Sequence, residues 1–342
     1  MDLHSPPLHV PSSLDLPFGT VAARVVRVDR TGYDVLTPDG PARVPVTDRP
    51  DDLRDGTDVP TVGDWLAVGA DRAPVLLPRR GLLARGAAAG TSTVQPLAAN
   101  VDVVLVCAGL HAAILVRRVE RLLTLAWDSG ATPVVLLTKA DLCADVPGAV
   151  RTAQRHAPGV DVVVVAAEQG DVRGLAPYTG PGTTLVLLGA SGTGKSTVVN
   201  ALLGAPVMAT GATRQVDGKG RHTTTHRELL QLPGGAVVID TPGLRAIALQ
   251  GGPASLALAF RDVEDLAVAC RFADCGHVGE PGCAVRASVE AGDVAPERVE
   301  SWRRLQRELA FQARRTDVRL RAEERQRWRA VAKGQRARGG RP

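Results

Sequence analysis

Lysine is scarce in this chain. Of its 41 basic residues only four are lysines (Lys139, Lys195, Lys219 and Lys333), so thirty-seven are arginines. Lys139 and Lys195 fall inside two nucleotide-binding motifs described below. The phosphate-loop position needs a compact ammonium rather than a planar guanidinium. Four lysines are too few to prove a pattern, but the presence of Lys195 in the phosphate loop agrees with this requirement.

Long apolar runs are absent as well. No run approaches the roughly eighteen residues of a membrane helix, and an early acidic residue, Asp2, followed by several prolines excludes a signal peptide. The sequence therefore predicts a cytoplasmic protein without a membrane partner. In that compartment the five cysteines are expected as metal ligands or buried thiols rather than disulfides.

The length and the charge predict several units with different partners. A chain of 342 residues with 44% apolar content indicates two or three globular domains. Positions 301–342 hold thirteen arginines and one lysine against four acidic residues, a net charge of +10. Because the whole chain carries +5, the rest is at −5. We expect a basic helical tail over 301–342 that meets a polyanion.

The first segment is expected to be all-β. After a disordered stretch 1–18, five short β-branched runs between positions 19 and 80 are separated by turn residues. They predict a small barrel of OB or SH3 type, and the sequence does not distinguish between these two folds. Such barrels often bind RNA, yet only Phe18, Tyr33 and Trp65 could stack on bases there.

An alternating strand and helix pattern fills positions 95–250. Apolar runs at 101–106, 133–138, 160–165 and 185–188 are typical of a parallel sheet buried on both faces, and 117–128 has helical spacing. Each motif below follows one of these strands. Ligands bind at that edge of open α/β sheets.

The phosphate loop is the most specific motif. It starts after the strand 185–188 and continues into a predicted helix, the context that this motif requires. Its glycines let backbone N–H groups converge on a phosphate, Lys195 bridges the β and γ oxygens, and the Ser196 hydroxyl reaches Mg²⁺. The predicted nucleotide-binding residues here are Gly189, Ala190, Ser191, Gly192, Thr193, Gly194, Lys195, Ser196 and Thr197.

A second motif, Thr138, Lys139, Ala140 and Asp141, is expected to select the base. The Asp141 carboxylate can accept the N1 and N2 protons of guanine, and ATP would leave its lone pairs unpaired. Thr138 stands where GTPases usually have Asn, so one contact to the purine is expected to be lost. The pair Ala166 and Ala167 is a candidate companion turn on the base side.

Magnesium and the γ-phosphate are expected at the end of a further strand. Asp240 suits direct or water-mediated Mg²⁺ binding, and Gly243 can offer its N–H to the γ-phosphate. The polar stretch 210–226 is too long for a simple connection and predicts a functional lid or a disordered segment. Within it Thr224 is the preferred Mg²⁺ ligand, although its threonines could merely begin the next strand.

Hydrolysis needs a group that orients water. Leu244 occupies the position where many GTPases have Gln, so His222 is the best local candidate for catalysis together with Lys195. A lone histidine is more often structural. The expected enzyme is slow and needs a partner to complete its site.

Four metal ligands cluster between positions 256 and 300, namely Cys270, Cys275, His277 and Cys283. Three thiolates and an imidazole complete a closed tetrahedral shell, so we expect one structural Zn²⁺ in an α-helical region. Cys107 and Cys143 have no neighbouring ligand in sequence.

The order of these motifs is permuted. The base-reading turn precedes the phosphate loop, whereas in ordinary GTPases it follows, and such a reordering preserves a site when the original termini lie close together. This order, the stretch Gly220–Thr225 and the Cys/His spacing resemble the RsgA (YjeQ) family of bacterial GTPases that depend on the small ribosomal subunit. The resemblance covers about residues 19–325. It implies an OB fold, a circularly permuted GTPase domain and a zinc domain. The expected protein is a monomer that binds GTP, GDP and rRNA and acts in late maturation of the subunit. The resemblance also implies that His222 is catalytic.

Two alternatives stay open from the residues alone. A P-loop ATPase with a nucleic-acid-binding zinc module would share the phosphate loop and the tail but would not need Asp141. A non-catalytic RNA-binding scaffold that GTP only orders is compatible with Leu244.

Overall fold

A single mixed sheet of eleven strands runs through the molecule. The computed structural model describes residues 8–45, 59–69, 72–85, 95–208, 227–240 and 252–316. The strand order along the sheet is β10, β9, β8, β11, β13, β12, β1, β2, β3, with β4 attached to β1 and β5 attached to β4. The amino-terminal strands and the nucleotide-binding strands therefore share one hydrogen-bonded sheet.

The first five strands lie where the sequence predicts them. They are β1 (Val21–Val28), β2 (Gly32–Thr37), β3 (Gly40–Pro45), β4 (Trp65–Gly69) and β5 (Arg72–Leu76). Strand β1 pairs antiparallel with both β2 and β4, and alternate side chains such as Ala23, Val25 and Leu66 form an interior cluster. In the described ranges β3 and β5 are not paired, so a closed barrel is not shown.

Residues 8–18 fall within the segment 1–18 that the sequence predicts to be disordered. Alternating apolar side chains of this stretch, Leu8, Val10, Leu14 and Leu16, pack against a second cluster on the outer face of the same strands, around Trp65 and Leu77. Burial of these leucines offsets the entropy cost of ordering the segment. Disorder over 1–18 stays a prediction, and residues 1–7 lie outside the described ranges.

A hairpin connects the first unit to the next. It consists of β6 (Leu82–Arg85) and β7 (Gln95–Ala99), with Leu83 and Leu97 fully buried. Sequence analysis did not predict these two strands, because their four or five residues show no clear period.

The nucleotide-binding part has the predicted alternation. Its parallel strands are β8 (Val103–Gly109), β9 (Thr132–Thr138), β10 (Asp161–Val164), β11 (Thr184–Leu188) and β13 (Val237–Asp240), and β12 (Glu228–Gln231) runs antiparallel to β13. Helices α1 (Val116–Asp128), α2 (Val146–His156) and α3 (Lys195–Leu203) connect them, with short 3₁₀ turns at Ala140–Leu142, Ala167–Gln169 and Arg173–Tyr178. Apolar residues of β8, β9 and β11 are almost entirely buried, as the continuous runs predict.

The described part of the carboxyl-terminal region has four helices: α4 (Pro253–Ala259), α5 (Arg261–Val268), α6 (Ala284–Ala291) and α7 (Pro296–Thr316). Helix α7 crosses the expected boundary at 300/301 and buries Trp302, Leu305 and Leu309 in the same core as α1. The first part of the expected tail is thus packed protein. Positions 317–342 lie outside the described ranges. No helix in the described part of the chain is long and apolar enough to cross a membrane.

Candidate nucleotide site and metal cluster

The phosphate loop leaves the carboxyl end of β11 and enters α3. Gly192 and Gly194 have φ of 82° and 81°, a left-handed conformation that favours glycine. At Gly189 a β-carbon would lie 2.7 Å from the Cys107 carbonyl oxygen, so only glycine fits there. These three glycines therefore shape the loop that enters the N-terminus of α3, a place that suits a phosphate.

Lys195 begins α3 and bends back over this loop. Its Nζ donates to the carbonyl oxygens of Gly189 and Ala190 at 3.0 and 2.7 Å. The ammonium is thus held beside the loop by two backbone carbonyl oxygens.

Thr138 joins the base-reading turn to the phosphate loop. Its hydroxyl is buried and donates to the Thr193 carbonyl oxygen at 2.6 Å. The replacement of Asn by Thr therefore does not separate the two motifs. A β-carbon at Gly194 would lie 3.5 Å from Thr138 Oγ1 and 3.8 Å from Lys139 Cε, so the Lys139 side chain also lies beside the loop.

Asp141 projects from the short 3₁₀ turn that follows β9 and is exposed. Lys139 precedes it with φ of 58°, an unusual conformation for a residue with a side chain. The Ala140 N–H donates to the Val165 carbonyl oxygen at 3.3 Å, and Ala166 pairs with Asp171 just beyond. The Ala166–Ala167 turn thus lies next to the Asp141 turn, as a companion turn on the base side requires.

Asp240 ends β13, the strand beside β11. The carboxyl ends of β9, β11 and β13 hence lie along one edge of the sheet, with β8 between β9 and β11. Ser196 and Thr197, in the first turn of α3, are half-buried. The other predicted residues, His222, Thr224 and Gly243, lie outside the described residues.

The four predicted metal ligands come together in space. Their ligand atoms all lie within 4.8 Å of one another. Cys270 Sγ is 3.9 Å from Cys283 Sγ, and His277 Nδ1 is 3.5 and 3.6 Å from these two sulfurs. A tetrahedron with Zn–S of about 2.3 Å and Zn–N of about 2.05 Å has edges of roughly 3.8 Å between sulfurs and 3.6 Å between sulfur and nitrogen. The donor set fits one such ion.

The loop around the cluster is held by groups that the sequence did not indicate. The Glu280 carboxylate accepts the N–H groups of Gly276, Val278 and Gly279 at 2.9 to 3.0 Å, and these bonds lower its pKa to about 2. They fix the turn in which His277 has φ of 56°. Burial, and then the charge of Arg303, lower the pKa of His277 and favour the neutral imidazole that binds metal.

The strand order and the order of the base-reading turn and the phosphate loop along the chain are those of a circularly permuted P-loop GTPase fold. Two solved structures share it. YjeQ from Thermotoga maritima is 25% identical, with a TM-score of 0.61, and the match covers 85% of this chain and 98% of that one. YloQ, described as a circularly permuted GTPase, is 24% identical with a TM-score of 0.58, covering 85% and 96% of the two chains.

The chain belongs to the RsgA GTPase family. The profile of that family matches residues 76–250. A relative from Streptomyces avermitilis, named small ribosomal subunit biogenesis GTPase RsgA, is 47% identical over 320 residues, which are 91% of this chain and 85% of the relative. A protein of the same name from Opitutus terrae is 48% identical over 292 residues, 85% and 77% of the two chains.

Proposed function

We propose that this protein binds GTP and GDP with Mg²⁺, hydrolyses GTP to GDP and phosphate, and acts in maturation of the small ribosomal subunit. The observation that carries the enzymatic part is the bond from Thr138 to Thr193, which holds the base-reading turn after β9 against the phosphate loop after β11. The ribosomal part rests on the names of relatives that match 85–91% of the chain.

The described residues suit specific roles in this reaction. Backbone N–H groups from Gly189 to Thr197 would hold the phosphates, and the Lys195 ammonium would turn from its carbonyl partners to the β and γ oxygens. Lys139 and Ala140 would line the base, with Asp141 accepting two guanine protons. Thr138 acts through the loop rather than through the purine.

Magnesium would bind Ser196 and Asp240, with Thr224 and the Gly243 N–H completing contacts to the ion and the γ-phosphate. His222 would orient the attacking water. We expect His222→Ala to lower subunit-stimulated hydrolysis while GDP affinity stays unchanged, since the residue is assigned to water and not to nucleotide. Normal stimulated turnover in that variant would remove the assignment.

The cluster of Cys270, Cys275, His277 and Cys283 would hold one Zn²⁺. All four positions around the ion are filled by protein, so the ion would stabilise its loop and take no part in hydrolysis. The zinc ion would therefore have no chemical role at the nucleotide site.

The unit 19–80 is proposed to be OB-like, because β1 pairs with both β2 and β4. The permuted GTPase domain would span 95–250, and a zinc-binding unit would begin near 256. We propose a cytoplasmic monomer whose rRNA contacts include the tail beyond Thr316. That part of the chain has nine basic and three acidic residues.

Competition between nucleotides tests the guanine assignment. A fluorescent GDP should be displaced by GTP but not by ATP. Asp141→Asn should weaken guanine binding by about 2 kcal/mol, because one accepting oxygen becomes a donor. Asp145→Asn, the same change at another exposed aspartate four residues away, serves as control, since Asn caps α2 as well as Asp does. Equal displacement by ATP and GTP would favour the ATPase alternative.

Sedimentation with small ribosomal subunits tests the partner. The GTP and GDP complexes should bind with different affinity if hydrolysis is linked to release. Truncation after Thr316 should keep α7 intact, weaken binding and reduce its salt dependence. Unchanged affinity and salt slope would show that the tail does not contact rRNA.

A further inference from the structure

A buried ionic cluster connects the GTPase sheet to the carboxyl-terminal helices, away from both sites above. Its centre is Arg298 of α7, whose side chain is 1% exposed. Nε and Nη2 donate to the Asp262 carboxylate at 2.7 and 2.6 Å. The remaining donors reach the carbonyl oxygens of Ala259 and His156 at 2.9 and 2.8 Å and Glu120 Oε1 at 3.2 Å. All five N–H groups of the guanidinium are therefore used.

The partner carboxylate on α1 depends on this arginine. Glu120 is 1% exposed, and its Oε1 also lies 2.8 Å from His156 Nδ1. Glu120 Oε2 has no hydrogen-bond partner among the described residues. If Arg298 moved away, the buried Glu120 carboxylate would lose the positive charge that stabilises it. The helices would then have to separate so that water could solvate the carboxylate.

One side of the cluster leads to the base-reading turn. His156 is the last residue of α2, and Arg298 binds its carbonyl oxygen. Helix α2 starts after its N-cap Asp145, four residues beyond Asp141. The cluster therefore fixes the far end of the helix that leaves the guanine turn.

The other side leads to the metal cluster. Trp302 lies one helical turn after Arg298, and its ring centre is 5.4 Å from that of the metal ligand His277. Its Nε1 donates to Glu264 at 2.8 Å, and Arg303 donates to the His277 carbonyl oxygen. Helix α7 thus contacts the metal loop and the Arg298 cluster on successive turns.

We propose that Arg298 is a positioning residue that makes retention of guanine nucleotide depend on metal occupancy. Without the ion the His277 loop loosens and no longer supports Trp302, α7 shifts, and the Arg298 cluster opens. The end of α2 then frays and the guanine turn loses its fixed geometry, so GDP leaves faster. This inference rests on the proposed function, in that the sheet edge binds GDP and the Cys/His cluster binds zinc.

The test measures dissociation of a fluorescent GDP after addition of excess unlabelled GDP. Full-length protein is used with zinc bound or after treatment with a chelator, at a temperature where circular dichroism shows intact helices. Zinc removal should accelerate release from the wild type at least about fivefold, the lower range of coupling between sites. Arg298→Lys should keep its zinc yet release GDP as fast as the metal-free wild type, because an ammonium cannot replace five planar donors.

Arg117→Gln is the matched control. Arg117 also joins α1 to α7, through Glu300 at 2.6 Å, but this pair is about half exposed. It should behave like the wild type with and without zinc. If Arg298→Lys does not fold, Glu120→Gln keeps the volume and one acceptor and should show the same loss of zinc dependence.

Two results would overturn the inference: release from the wild type that is indifferent to zinc, or full zinc dependence in the Arg298→Lys variant. Either leaves the proposed function standing. Failure of the zinc-loaded wild type to bind GDP at all would overturn both.

Discussion

Two buried arginines connect the GTPase sheet to its neighbours, and they do so differently. Arg24 of β1 is 4% exposed and donates to Thr184 Oγ1 at 3.0 Å, where β11 begins. Its Nε has no partner among the described residues, and its guanidinium lies 4.8 Å from the Trp65 ring centre. Burial lowers its pKa to about 10. Arg298, by contrast, uses all five donors.

This difference indicates how strongly the amino-terminal strands and the carboxyl-terminal helices are each bound to the GTPase domain. An ion removed from water without full hydrogen bonding costs stability, whereas a fully paired ion costs little but becomes expensive to break. Among the described residues, β1 pairs with β12 at one register position, Arg27 with Glu228. The carboxyl-terminal helices should therefore move with the GTPase domain, and the amino-terminal unit should be the more easily displaced.

Removal of the metal should change the carboxyl-terminal helices far more than the amino-terminal strands, and this is the largest difference that we expect between them. Cys275→Ser should reduce bound zinc from about one per chain to none, since a closed site needs all four ligands. Hydrogen exchange should then speed up in α6 and α7 but not in β1 and β2. Nucleotide should still bind, though with faster release.

Equally faster hydrogen exchange in the helices and in β1 and β2 would show that the metal stabilises the whole molecule. The proposed difference between the two interfaces would then be wrong. Protein purified without chelator that contains no zinc would remove the metal assignment.

The second effect is the loss of Arg298. Arg298→Ala should lower the free energy of unfolding by about 3–5 kcal/mol, because it leaves Glu120 and Asp262 without their buried partner. Urea denaturation measures this. The exposed pair of Arg117 and Glu300 provides the reference, and Arg117→Ala should cost less than about 1 kcal/mol. Similar losses for the two variants would contradict the account.

The smallest effect is expected at Arg24. Arg24→Met keeps most of the volume, loses one hydrogen bond and removes a poorly paired charge, so stability should change by no more than about 1 kcal/mol in either direction. The same urea titration applies. A loss as large as that of Arg298→Ala would mean that the two interfaces are equally firm.

The same charge gives a pH dependence with a definite sign. Burial holds the folded-state pKa of Arg24 at about 10, below its ordinary value, so the penalty for burying the cation is fully present below about pH 10. It is relieved as the pH rises above about 10. Arg24→Met should accordingly lose any stability advantage over the wild type in that window.

Local motifs predicted features that residues close together in the sequence specify. The phosphate-loop pattern placed glycines at Gly192 and Gly194, where φ is positive, and the spacing of Cys270 to Cys283 predicted a compact donor set. The motif context predicted a helix after the loop, and periodicity predicted α1 to within a residue.

Long-range features were not predictable in this way. Nothing around Arg298 distinguishes it from thirty-six other arginines, and its partner Glu120 lies 178 positions away. Its burial results from the packing of α1, α2, α5 and α7. The packing of residues 8–18 was also not predicted, although the alternation of Leu14 and Leu16 was a visible signal.

The account's central claim is that this chain is a GTPase completed by the small ribosomal subunit. The most direct measurement is phosphate release from GTP with and without purified subunits, alongside Lys195→Ala. We predict slow release alone, strong stimulation by subunits and no turnover in the variant, because Lys195 is the residue proposed to bind the β and γ oxygens. Release that subunits leave unchanged, or that persists in Lys195→Ala, would contradict the claim.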